Sequence, residues 1–110
     1  MEISNIAALF GLRNRELSLL CSDRLLCDLA FVLPDIQTLA TALNFHDSLT
    51  NRIQMNNPYS SAGQAFEMLR RWKERHFAQH TLRSLLDAFA QVDIDEDLLE
   101  LPVLDFVQRS

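Results

Sequence analysis

The chain has 110 residues, 48% of them apolar and 23% charged, a composition that suits one globular domain and excludes disorder. Its formal charge is −5, without the positive excess through which nucleic-acid binders meet phosphate, so nucleic acid is not an expected partner. No apolar run reaches the ~18 residues of a membrane span, and Met1 to Asn5 lack a basic secretory start, so a cytoplasmic or nuclear location is expected.

Only two glycines and three prolines punctuate the sequence, which leaves little room for the turns of a β-sandwich and favours helices. From residue 3 to residue 33, apolar residues recur at spacings of three and four: Ile6, Leu9 and Phe10, then Leu17 and Leu20, then Leu25, Leu26 and Leu29. Gly11 and the Cys21-Ser22-Asp23 stretch divide this block, with Ser22 or Asp23 as an N-cap, and Pro34 closes it. Asp35 caps a helix with Ile36, Leu39, Ala40 and Leu43 inward, and Asn44 suits the left-handed position after it. A short helix follows from Asp47 to Met55, with Leu49 and Ile53 inward, and Asn56 to Ser60 form the clearest loop.

Ser60 or Ser61 caps a helix reaching His76, whose stripe is Ala65, Phe66, Leu69 and Trp72. Trp72, set in that stripe, reads as a core anchor. Thr81 caps the next, with Leu82, Leu85, Leu86 and Phe89 inward. Asp93 to Asp97 begin a last short helix, where carboxylates suit the positive end of the helix dipole, and Leu98, Leu99, Leu101 and Leu104 pack it down. The expectation is all-α: one domain over residues 1–110, an antiparallel bundle of six helices over 22–101 with an N-terminal helical extension over 1–21.

The residues Leu39 to Phe45, Ile53, Asn57-Pro58-Tyr59-Ser60, Gln64 through Leu69-Arg70-Arg71-Trp72, Leu82 to Leu86 and Leu98-Leu99 resemble a death domain. The phrasing around Asn57-Pro58 and Leu69-x-x-Trp72 is most similar to the ankyrin and netrin-receptor branch. Ile36 stands where many members carry a tryptophan, and His76 to His80 replace a stretch that often holds a glycine. The resemblance implies a six-helix death fold that self-associates or binds other death-fold proteins, in adaptor signalling of the apoptotic or innate-immune kind. It implies no enzyme activity, no cofactor and no small-molecule substrate.

Arg70, Arg71, Lys73 and Arg75 cluster on one helix, partly balanced by Glu67 and Glu74. After residue 92 stand six carboxylates, among them Asp93, Asp95, Glu96 and Asp97, against the single cation Arg109. The rest of the chain is neutral, so the whole −5 belongs to this C-terminal stretch. Opposite patches on one small domain permit head-to-tail contacts that propagate, and these eight residues are the candidate partner-binding set. The plain alternative is two solvated faces.

Other candidates have bland readings beside them. His76 and His80 have the spacing of two metal ligands on one helix face, but no further ligand accompanies them, and structural zinc needs four. Cys21 and Cys27 are too few for a disulfide framework and read as buried or half-buried thiols, and no spacing demands that His46 activate either. No catalytic residue and no metal site is assigned. Leu39 to Leu43, a turn, then Thr50 and Arg52 also read as a DNA-binding helix-turn-helix, although Arg52 is the only cation on that second helix.

Overall fold

A computed structural model describes residues 6–33, 35–76 and 78–110, and these form eight helices and no sheet. In order they are α1 (Ile6–Leu9), α2 (Asn14–Leu17), α3 (Asp23–Val32), α4 (Ile36–Leu43), α5 (Asp47–Asn56), α6 (Ser61–Arg75), α7 (Leu82–Phe89) and α8 (Asp97–Arg109). The last six make the bundle, and α1 and α2 are the N-terminal extra.

The helix starts follow local hydrogen-bond chemistry. The hydroxyls of Ser22, Ser60 and Thr81 and the carboxylate of Asp35 each accept from backbone N–H groups that a first turn would leave unpaired. Asn44 ends α4 in the left-handed region at φ 62°, as its short polar side chain allows. Ala78 also lies there, at φ 69°, in the α6–α7 turn where a glycine would carry no steric cost. That turn therefore keeps a glycine's geometry without a glycine.

α6 is the central helix, packed on α3, α4 and α5. Its buried row is Ala65, Met68, Leu69 and Trp72. Met68 is fully buried, whereas Phe66, expected inward, is only half-covered. The core continues through Leu25, Leu26 and Leu29 of α3, Leu39 of α4, Ile53 of α5 and Leu82, Leu85, Leu86 and Phe89 of α7.

The last segment differs from expectation. The last helix is not short: α8 runs thirteen residues through Pro102, and its inner row is Leu99, Pro102, Val103 and Phe106. Leu101 lies on the far side at 79% exposure, and Leu98 is also exposed. The N-terminal segment packs into the same core. Ile6, Leu17 and Cys21 are core residues, and α1 and α2 pack on α7. Cys21 N–H donates to the His80 carbonyl and Leu82 N–H to the Leu19 carbonyl, both at 2.8 Å, a two-sided clamp around Leu20 and Thr81. Arg83 on α7 adds a bond to the Asn14 amide oxygen at 2.9 Å.

Candidate interaction surfaces

The four cations on α6 divide into two pairs. Lys73 Nζ meets Asp23 Oδ1 at 3.0 Å, tying the end of α6 to the start of α3. Arg75 donates to the Leu43 carbonyl at 2.6 Å and stacks its guanidinium over Phe45 at 4.3 Å, so it caps the C-terminal end of α4. These two cations hold helices together. Arg70 and Arg71 face outward and pair only along their own helix, Arg70 with Glu74 at 3.7 Å and Arg71 with Glu67 at 3.1 Å. The exposed Arg70–Glu74 pair is worth little and leaves that cation available to a partner, whereas the half-buried Arg71–Glu67 pair is held by two N–H contacts.

Glu67 has a second role. Its Oε1 accepts from the Asn57 amide at 2.7 Å while Oε2 accepts from Arg71, and Gln64 donates to the Asn57 carbonyl at 2.9 Å. The α5–α6 loop is thereby anchored to the outer face of α6. At its tip Tyr59 is 99% exposed.

Asp93, Asp95, Glu96 and Asp97 are all exposed, in the turn before α8 and on its first residue. Asp95 Oδ1 accepts the Asp97 N–H at 3.1 Å and closes that turn. The Lys73–Asp23 and Arg75–Leu43 bonds put the end of α6 beside the start of α3 and the end of α4. The acidic turn instead lies where α3 ends and α4 begins, since Asp93 and Asp95 share a cavity with Leu33 and Asp35. The C-terminal part of the basic helix and the acidic turn therefore occupy opposite ends of α3 and α4.

That cavity, about 180 Å³, went unforeseen in the sequence. Val32, Leu33, Leu39, Ile94 and Leu98 give it apolar walls, and Asp35, Asp93 and Asp95 form its rim. Asp35 is held rigidly: its Oδ2 accepts from the Thr38 hydroxyl at 2.7 Å and Oδ1 from the Gln37 N–H at 3.1 Å. The Thr38 hydroxyl, chief among these bonds, lowers its pKa below the ordinary carboxylate value, so Asp35 favours its charged form. The only advance signal was the alternation of Ile94 and Leu98 with carboxylates.

The remaining candidates fall into structural roles. α6 ends at Arg75, so His76 and His80 do not share a helix face. His80 is buried with Nδ1 3.2 Å from the His76 carbonyl, which can only accept, and the His76 ring lies 5.6 Å from that of Trp72. Among the described residues, no group of three or more His, Cys, Asp or Glu is placed to hold a metal ion. Burial pushes the Cys21 thiol up to about 12, with Lys73 pulling weakly the other way, which makes it a poor nucleophile. Cys27 is half-buried. Thr50, on the helix that the DNA-binding reading would place in a groove, is 1% exposed with its hydroxyl 3.4 Å from the His46 carbonyl. It has nothing to offer a base edge.

A comparison with protein-family models matches the chain to the death domain over residues 22–100. The chain belongs to the death domain family. The matched span opens on the N-cap of α3 and ends within α8, so it takes in α3 to α7, the whole acidic turn and the first turn of α8. No curated protein and no solved structure matches the chain. Death domains are protein-interaction modules, and this one presents Arg70, Arg71 and the acid-rimmed cavity at its surface. No helix among the described residues is long and apolar enough to cross a membrane.

Proposed function

We propose that this domain is a non-enzymatic adaptor that assembles with other death-fold domains, a second copy among them, in cytoplasmic signalling of the apoptotic or innate-immune kind. The observation that carries the reading is the segregation of charge. Arg70 and Arg71 point outward from α6, and Asp93, Asp95, Glu96 and Asp97 gather in the turn before α8 and on its first residue. A partner's acidic face meets the first and a partner's basic face the second. Charges so arranged set partner choice and association rate more than raw affinity. Lys73 and Arg75 fix α6 to its neighbours.

The test is reversal of Arg70 and Arg71 to Glu. Sedimentation of the purified domain, alone and mixed with other death domains, would show assembly weakened about tenfold or more while the helical circular dichroism is kept. Raising salt from about 0.05 to 0.5 M would weaken the unaltered assembly in the same direction. Assembly indifferent to both would reduce the basic face to a solvated surface.

A further inference from the structure

Exposed apolar residues stand on the two helices that flank the acid-rimmed cavity, α3 and α8. α3 and α8 run antiparallel: Ser22 and Arg24 share a groove with Asp105 and Arg109 at one end, and Val32 and Leu33 share the cavity with Leu98 at the other. Arg24 and Asp28 line that groove from α3. Phe31 is seven residues after Arg24, roughly two helical turns, so it continues the same row toward the cavity. From α8, Asp105 lines the groove, and Leu101 and Leu98 stand one and two turns before it in the same direction. Phe31 is 70% exposed and Leu101 79%. Leu98 thus lines the open apolar cavity, and Phe31 and Leu101 stand exposed along the same two helices.

Among the described residues, the charged groups that line the cavity are all negative. Asp35, Asp93 and Asp95 rim the cavity, and Asp97 and Glu100 lie in the first turn of α8. The nearest cations of the same two helices, Arg24 and Arg109, sit at the opposite end of the groove, and Arg109 is paired with Asp105 at 2.9 Å. Such a surface selects apolar anchors flanked by lysine or arginine.

A second copy of the chain meets that requirement poorly. Its densest cations are on α6, where Lys73 and Arg75 are already committed within the domain. The aromatic beside Arg70 is Phe66, which is half-covered, with the guanidinium 6.0 Å from its ring. Two copies also each bring a charge of −5. We infer that the Phe31–Leu98–Leu101 surface and its acid-rimmed cavity dock a basic amphipathic helix of a different protein, apolar side chains seated in the cavity and lysines or arginines on the rim. This rests on the reading of the domain as an interaction module and names the partner class for one of its faces.

The probe is a synthetic helical peptide with leucines at every third and fourth position and lysines or arginines on the flanks. Its control has the same composition with the leucines scattered around the helix. Titrated against the full chain by calorimetry, the amphipathic peptide should bind at least about tenfold more tightly than the control. Replacing Phe31 and Leu101 by Ser, both exposed enough to leave the melting temperature unchanged, should remove that preference. Met55→Ser, equally exposed but on α5, should not. Equal binding of the two peptides, or no binding, overturns the inference, as does a preference that survives the double substitution. Self-association of the chain abolished by the same double substitution would also overturn it, since the occupant would then be a second copy. The Arg70 and Arg71 reversal leaves this face intact, so failure of the two readings is told apart.

Discussion

Cys21 has 1% of its surface exposed, and burial holds its thiol neutral up to about pH 12. In the unfolded chain a thiol ionises near an ordinary value of about 8.5. The folded state keeps its proton over a range in which the unfolded state loses it. The resulting stability is therefore complete below about pH 8.5 and drains away as pH climbs toward 12, by up to about 1.4 kcal/mol per pH unit. Urea midpoints measured from pH 8 to 11 should fall, and Cys21→Ala should flatten the fall while lowering the starting stability. A decline of the same steepness in the variant would assign it to other groups. In the native state near pH 8, iodoacetamide should label the half-buried Cys27 and spare Cys21.

Among the elements, α6 bears most on function because its cations do two kinds of work. Arg75→Ala removes both the bond to the Leu43 carbonyl and the stacking on Phe45, and should cost roughly 1–2 kcal/mol in denaturation. Arg70→Ala breaks only an exposed pair at 3.7 Å and should change stability by no more than about 0.5 kcal/mol. Equal costs would mean that the division between structural and outward cations is wrong. The sequence shows four like charges on a helix and cannot show this division, because Lys73 meets Asp23 fifty residues away and Arg75 meets a backbone carbonyl. Helix starts were legible for the opposite reason: Ser22, Asp35, Ser60 and Thr81 cap within three residues of themselves. The end of α8 was not. A short helix was expected, yet Pro102 sits buried on the inner row in the second turn, and Val103 and Phe106 carry the helix onward against the core. The acid-rimmed cavity was hidden for a similar reason, since its walls come from α3, α4 and the turn before α8.

At the scale of the whole molecule, the folding unit is wider than the span shared with the family. The match covers residues 22–100, but the core also holds Ile6, Leu17 and Cys21 before it and Val103 and Phe106 after it. The early residues are fastened as well as buried, through the paired backbone bonds Cys21–His80 and Leu82–Leu19 and the Arg83–Asn14 contact. All three lie on α7 or the turn leading into it, so α1 and α2 cover a face of α7 that would otherwise meet water. Removing residues 1–21 should therefore destabilise the bundle instead of trimming an appendage. Burial of Ile6 and Leu17 alone is worth roughly 1.5–3 kcal/mol each, which sets the expected loss at about 3–6 kcal/mol in urea denaturation of a chain beginning at Ser22. Amides of α7 in that shortened chain should also exchange with solvent faster than those of α3, which the truncation leaves covered by α6 and α8. A shortened chain with the midpoint of the full one would show that the first two helices rest on the bundle without supporting it.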